Sequence, residues 1–293
     1  MSRIVLPILL MLAVFPHSAY TWNIPGHMLS GAIAYQILRQ ENSTTIPAVR
    51  SLLEKNPWYE TRWKAQLQKL PDTERDEMLF MLAARWADDI RTRDPSESHP
   101  QWHYINFPFK PNSEPPNIKA VQPPDENILI AIAENTPIAL TKIPTQRAIA
   151  LTWLFHLYGD VNQPLHDVQL FTREYPNGDR GGGDFCIRIA QDRAALSLHR
   201  LWDGLITSSN NTRTLRNMAI ELQSRFTRSG LSELAVTAPE AWAKESFEFA
   251  TKIAYQNGAL RGIPKAKRRE CREVTDAAVL PNGYAVIAKK VSR

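Results

Sequence analysis

The stretch Leu151-Thr-Trp-Leu-Phe-His-Leu-Tyr-Gly-Asp-Val-Asn-Gln-Pro-Leu-His166 decides the reading of this chain, because it carries His156, Asp160 and His166 around the end of one apolar helix. A histidine and an aspartate four residues apart lie on one helix face, about one turn apart. Further on, Leu198-His199-Arg-Leu-Trp-Asp203 repeats that spacing, so three of the seven histidines fall in two such frames. Imidazole and carboxylate side chains brought together in this way are metal ligands of the zinc type.

Working outward, Arg85-Trp-Ala-Asp88-Asp-Ile-Arg91 closes a long helical pattern with a carboxylate, and Gln101-Trp-His103-Tyr-Ile-Asn106 follows one loop later. Asp88, His103, His156 and Asp160 group as one expected site, and His166, His199 and Asp203 as a second. A third draws on His27, a shared oxygen of Asp160, and Trp22. The last of these depends on processing. Met1 to Thr21 has one charge, Arg3, then the apolar run Ile4 to Phe15, then small and polar residues, which is signal-peptide architecture and too short to span a bilayer. Cleavage after Thr21, with Ala19 as a competing endpoint, makes Trp22 the new N-terminus. Its α-amine, with a reference pKa of roughly 7.7 to 8.0, can give up its proton to a metal.

The remaining chain, 22–293, is long enough for one large domain, and 43% hydrophobic with 22% charged residues argues against disorder. A formal charge of +5 suits an anionic partner, although Lys265, Lys267, Arg268, Arg269 and Arg272 concentrate it in one stretch. Cys186 and Cys271 are the only cysteines. Export would allow them to pair, and two buried thiols are the alternative.

Helical periodicity dominates, over His27 to Leu38, Ala48 to Glu54, Glu60 to Leu70, Thr73 to Ile90, Asn127 to Glu134, Thr145 to Tyr158, Ser197 to Ile206, Thr212 to Phe226 and Pro239 to Asn257. The best strand signals are Val168 to Phe171 and Phe185 to Ile189, which the turn-rich segment between them predicts as a hairpin. The proline-rich segment 107–125 reads as a connection too polar for core. These patterns predict one mainly α domain with a small β-hairpin and a site assembled from distant segments.

Trp22 with Gly26-His27, Trp86-Ala-Asp88, Trp102-His103-Tyr, His156-Leu-Tyr-Gly-Asp160, Gln163-Pro-Leu-His166, Gly181-Gly-Gly-Asp184 and Leu198-His199-Arg-Leu-Trp-Asp203 resemble, in order, the zinc-dependent single-strand nuclease and 3′-nucleotidase family. The zinc-dependent phospholipase C is a relative of that family. The resemblance implies a single helical domain of the phospholipase C and single-strand nuclease type. It also implies three zinc ions, and hydrolysis of single-stranded DNA and RNA to 5′-nucleotides with 3′-nucleotidase activity. Carried over, it gives Asp160 as the bridge between two ions and Trp22 as a ligand through amine and carbonyl. An exported enzyme of this kind is secreted or periplasmic, without a membrane anchor after cleavage, and is expected as a monomer with no protein partner.

A phosphodiester needs a hydroxide in line with the leaving oxygen and positive charge at the phosphoryl oxygens, which neighbouring zinc ions can supply. Water activated where Trp22, His27, Asp88, His103, His156 and Asp160 converge is the expected nucleophile, with Asp88 and Asp160 the carboxylates at the reacting centre. The group His166, His199 and Asp203 is expected to stabilise the departing 3′-oxygen. Single strands are held by stacking on aromatic faces and by cations along the phosphates. Expected substrate contacts are Asn106, Phe107 with its neighbour Phe109, Tyr158, Gly183 and Asp184. Asn106 stands where the family often has aspartate, and Asp184 where it often has asparagine. The segment from Leu280 resembles the start of the family's last helix and stops early, which predicts weaker packing there. His99, in a loop, is expected to face solvent, and His17 to leave with the signal. A phospholipase C acting on lipid phosphodiesters is the alternative reading, and a non-catalytic zinc-binding protein is a second.

Overall fold

The computed structural model describes residues 23–94, 97–265 and 270–291. Trp22 and the expected signal segment lie outside these residues. Helix α1 (Ile24–Glu41) starts where the Asn23 side chain accepts from the Gly26 N–H and Pro25 occupies the first turn, where its missing N–H costs nothing. Helix α4 (Asp72–Arg93) has Asp72 and Glu74 in its first turn and Arg91 and Arg93 in its last, matching the helix dipole. Its middle, Leu79 to Ala84 with Trp86, Ala87 and Ile90, is buried nearly all round, so α4 is the central rod of the domain.

Around it pack α1, α2 (Thr45–Leu53) and α6 (Pro144–Asp160), with α5 (Ile128–Ile138) on α6 and α8 (Thr212–Arg225) on α1. Between α2 and α4, the expected helix is a π turn over Tyr59–Trp63 followed by α3 (Lys64–Leu67). Edge-to-face indoles tie the layers together: Trp58 to Trp86 at 6.5 Å, Trp86 to Trp153 at 5.8 Å and Trp153 to Trp102 at 4.9 Å. This lattice fixes the 3₁₀ turn Pro100–His103 against α6. His99, expected in solvent, is half-buried with its ring stacked on Trp102 at 3.8 Å. No described helix is long and apolar enough to cross a membrane.

The strands pair differently from the expected hairpin. Strand β1 (Phe107–Phe109) runs parallel to β2 (Val168–Leu170), with Phe107 opposite Val168. The segment read as polar connection therefore begins with a strand, whose Phe107 packs edge-on against Phe247 at 5.8 Å. Proline is tolerated there because β1 is an edge strand, where the missing N–H breaks no ladder bond. Strand β3 (Phe185–Arg188) instead forms a hairpin with β4 (Leu196–Ser197), and takes β5 (Ile263–Pro264) and β6 (Ala278–Val279) along its other side. Helix α7 (Leu198–Asp203) follows β4 directly, capped by the Ser197 hydroxyl at the Arg200 N–H. The C-terminal part closes this second layer through α9 (Pro239–Phe249), a π turn over Ala250–Ala254 and α10 (Tyr284–Val291). The weaker packing expected there is not what is seen at Tyr284, which is buried, accepts from Trp202 Nε1 at 2.9 Å and donates to the Ala254 carbonyl at 2.8 Å. Cys186 of β3 is disulfide-bonded to Cys271, with Cα atoms 5.4 Å apart.

Two large hydrophobic cores result among the described residues, with a small third cluster at Cys186 and Cys271. Helices α1, α4, α5, α6 and α8 share the larger, and β2, β3, α7, the π turn and α10 share the smaller. The close crossing of α1 and α4 depends on Gly31, where an added Cβ would sit 2.6 Å from the Phe80 carbonyl oxygen. Backbone at that position cannot give way cheaply. Gly31→Ala should therefore destabilise by about 1–3 kcal/mol, despite alanine's better helix propensity. Urea denaturation checks this, and a variant as stable as the parent would refute the tight crossing.

Candidate metal centre

Six segments deliver the expected ligands to one buried spot. Helix α6 brings His156 and Asp160, with His156 Nε2 2.9 Å from Asp160 Oδ2. The 3₁₀ turn brings His103, whose Nδ1 lies 2.9 Å from both Asp160 Oδ2 and His156 Nε2. Helix α1 brings His27, stacked on the His156 ring at 3.7 Å, with Nε2 3.2 Å from Asp160 Oδ1 and 3.9 Å from Asp88 Oδ2 of α4. The turn Pro164–His166 brings His166, and α7 brings His199 and Asp203.

Ligand atoms gather in three groups, each within 4.8 Å: His27, His156 and Asp160; Asp88, His103 and His156; His166, His199 and Asp203. The two Asp160 oxygens divide between them. Oδ2 meets His103 and His156, while Oδ1 meets His27 and, at 3.4 Å, His166.

Backbone carbonyls set the ring tautomers. A carbonyl only accepts, so His156 Nδ1 must donate to Ala84 at 2.9 Å, His166 Nδ1 to His103 at 2.6 Å and His199 Nδ1 to Gly181 at 2.7 Å. Each ring then presents Nε2 as a lone-pair donor, as histidines do at metals when a carbonyl holds the other ring nitrogen. His103 Nε2, His166 Nε2 and Asp203 Oδ2 are buried and make no hydrogen bond among the described residues. Buried polar atoms are normally satisfied. Imidazole nitrogens gathered with carboxylate oxygens within 4.8 Å of one another fit divalent metal ions of the zinc type.

For His27, His103, His166 and Asp160 the electrostatics agree with that donor set. Burial lowers the pKa of His103 and His166 to about 3 and lowers that of His27, which keeps these rings neutral and able to ligate. Burial opposes charge on Asp160, but the facing His156, His166 and His27 hold it well below the usual carboxylate range. His156, also opposed by burial, is raised because Asp160 faces it. Burial pushes Asp203 well above the usual range, against the Gln163 amide that donates to its Oδ1 at 2.6 Å.

Other expected residues sit elsewhere. Asn106 lies in a left-handed conformation, φ 61°, with its N–H directed at the His166 carbonyl, so it borders the centre. Phe107 packs into the core and Phe109 leans on Tyr255. Tyr158 is turned to the opposite side of α6, edge-on to Trp242 at 5.7 Å, away from the ligands. Asp184 lies beside Lys265, whose Nζ is 3.3 Å away, and Gly183 adjoins it.

Three polar groups escaped the sequence reading. Arg91 lies one turn beyond Asp88, with Nε 3.7 Å from its carboxylate, and the i,i+3 spacing was available to find it. Gln163 steadies Asp203 from inside a motif already singled out for its histidine. Asp179 is fully buried and accepts from the Leu170 N–H at 2.9 Å, the Gly182 N–H at 3.0 Å and the Tyr255 hydroxyl at 2.6 Å. No local pattern announces it.

The family model for S1/P1 nuclease matches residues 22–287, the span that supplies every one of these ligands. The chain belongs to the S1/P1 nuclease family, and nucleic acid is its substrate class. Among similar proteins, Endonuclease 3 of Arabidopsis thaliana is 26% identical over 277 residues, covering 85% of this chain and 80% of the relative. Endonuclease 4 of the same plant is 24% identical over 261 residues with the same coverage. Endonuclease 5 is 29% identical over 121 residues, 37% of this chain and 38% of the relative.

Burial raises the Asp179 pKa to about 6 from 3.8, against the three hydrogen bonds that favour its anion. The native state then binds more protons than the unfolded state between those values, so this group's contribution to stability falls as pH rises through that window. An asparagine in its place would not titrate. The stability difference between the parent and Asp179→Asn should shift toward the variant by up to ~3 kcal/mol from about pH 4 to about pH 7.5. Denaturation midpoints of both proteins at both pH values measure it, and a pH-independent difference would rule it out.

Proposed function

We propose that this nuclease is an exported zinc enzyme that hydrolyses single-stranded DNA and RNA to 5′-nucleotides and removes the phosphate of 3′-nucleotides. The observation that carries the reading is the Asp160 carboxylate, shared between the His27 and His166 side and the His103 and His156 side. Zinc would be held by Asp88, His103, His156 and Asp160, by His166, His199 and Asp203, and by His27 with Asp160 and the amine and carbonyl of Trp22. Bound there, zinc makes water acidic enough to act as a nucleophile at neutral pH and neutralises charge on phosphoryl oxygens.

The chain's own groups do the rest. Asp160 and Asp88 supply the anionic charge that keeps divalent ions close together, and the Ala84, His103 and Gly181 carbonyls hold the rings in orientation. Arg91, beside Asp88, brings a guanidinium to the same place, a shape suited to two phosphoryl oxygens at once. Asn106 and the Gly183–Asp184 peptide border the substrate. Export is supported by the leader-like residues 1–21 and by the disulfide, which persists in oxidising compartments.

Purified protein assayed on single-stranded DNA, RNA and phosphatidylcholine tests the substrate class. Nucleotide release is expected; lipid cleavage without it would favour a phospholipase C, and full zinc occupancy with no turnover a non-catalytic protein. Mass spectrometry should give Trp22 as the mature N-terminus, and a chain starting at Tyr20 would remove its amine from the centre. Chelation should lower the melting temperature, and zinc should restore it, because the ions bind only the assembled fold. Asp160→Asn should lose more zinc and more activity than His27→Ala, at least about a hundredfold in kcat/KM, beyond the 10–100-fold typical of a supporting residue. Equal or smaller damage would mean that Asp160 is not the bridge.

A further inference from the structure

Arg180 has no part in the chemistry above, yet its backbone is strained. It holds φ 58°, in the left-handed region, immediately before Gly181 at φ 58° and Gly182 at φ 80°. Glycine adopts that conformation freely and arginine does not. A strained side chain that persists where glycine would fit is a reason to look for a role.

The turn that carries Arg180 is pinned from within. Asp179 holds the Leu170 and Gly182 N–H groups, while the Gly181 and Gly182 carbonyls accept from His199 Nδ1 and from the His199 N–H at 3.2 Å. Arg180 is thus one peptide from a group that orients a proposed ligand. Its charge also reaches Tyr104, the neighbour of His103.

The guanidinium remains 57% exposed, 3.8 Å from the Asp184 carboxylate. That carboxylate also meets Lys265 Nζ at 3.3 Å, and the Asp184 carbonyl accepts from the Lys265 N–H at 2.8 Å. One carboxylate between two cations leaves this trio net positive. The Asp184 carboxylate thereby anchors both cations.

We propose that Arg180, backed by Lys265 and Asp184, is a subsite for a backbone phosphate of the nucleic-acid strand other than the scissile one. This rests on the reading of the centre as that of a single-strand nuclease. A strand of several nucleotides gains from the subsite, and a dinucleoside monophosphate, whose single phosphate is the scissile one, does not.

The test compares the parent, Arg180→Gly and Arg180→Lys on a single-stranded oligonucleotide and on a dinucleoside monophosphate, over a range of salt. Glycine suits the backbone at this position, so the first change removes the side chain without adding strain. For Arg180→Gly, the oligonucleotide-to-dinucleotide ratio of kcat/KM should fall roughly tenfold at low salt, mainly through KM. The slope of log kcat/KM for the oligonucleotide against log salt should become shallower by about 0.7, the contribution of one phosphate contact on a single strand. Arg180→Lys should keep most of that slope. Equal losses on both substrates, or an unchanged slope, would overturn the subsite while leaving the nuclease reading intact. A parent that cuts neither substrate would overturn both.

Discussion

A buried carboxylate surrounded by four imidazoles is the constraint on which the rest of this structure depends. Asp160 is fully buried, and an isolated ion in that position would be strongly disfavoured. Its charge is tolerated because His27, His103, His156 and His166 approach from four different elements. Each of those elements must therefore be placed to within hydrogen-bonding distance of one side chain, and the packing of α1, the 3₁₀ turn, α6 and the Pro164–His166 turn can be read as the solution to that demand.

The rigidity comes from apolar contacts one layer out. His156 is directed by the Ala84 carbonyl, which belongs to the most deeply buried part of α4, and His103 sits at the end of a turn held by the Trp102, Trp153 and Trp86 edges. His199 is directed by a glycine turn that Asp179 fastens to β2. Metal-ligand geometry of this kind needs its supporting groups fixed as firmly as the ligands themselves. A central helix whose middle is buried nearly all round and a fully buried Asp179 serve that same end.

What the sequence made legible follows from range. Helices repeat their pattern within a few residues, so α1, α4, α6 and α8 could be read from periodicity, and His156 with Asp160, or His199 with Asp203, from a spacing of one turn. Strands β2 and β3 were legible as segments, but their partners were not. Strand β3 takes partners of only two residues each, one of them beginning at Ala278, and so short a segment has no alternation to recognise. Strand β1 was hidden by Pro108, which argues against a strand unless the edge position is known. The pairing of Cys186 with Cys271 was one of two open possibilities, because it depends on how β3 is flanked. Tyr158 misled for the opposite reason. It shares a helix with His156 and Asp160, but two residues from either places it on the far side.

The two cores explain why the ligands are distributed as they are. Trp153, Leu157 and Val161 belong to the larger core, and Leu165 and Val168 to the smaller, so the chain passes from one to the other within the stretch that ends at His166. Two of the three ligand groups draw their side chains from the α1, α4 and α6 side, with His103 in the turn beside them. The third draws His199 and Asp203 from the side organised by β3 and α7. Asp160 lies at the crossing, one oxygen directed to His166. Tyr284 and Asp179 secure the smaller side, and the disulfide ties β3 of that side to Cys271. Disturbing any of these three should therefore act first on the group at His166, His199 and Asp203, whereas changes at the α1–α4 crossing should act on the other two. The candidate centre is thus a joint between two packed bodies, and the geometry of each candidate ligand group is tied to the integrity of the body that supplies it.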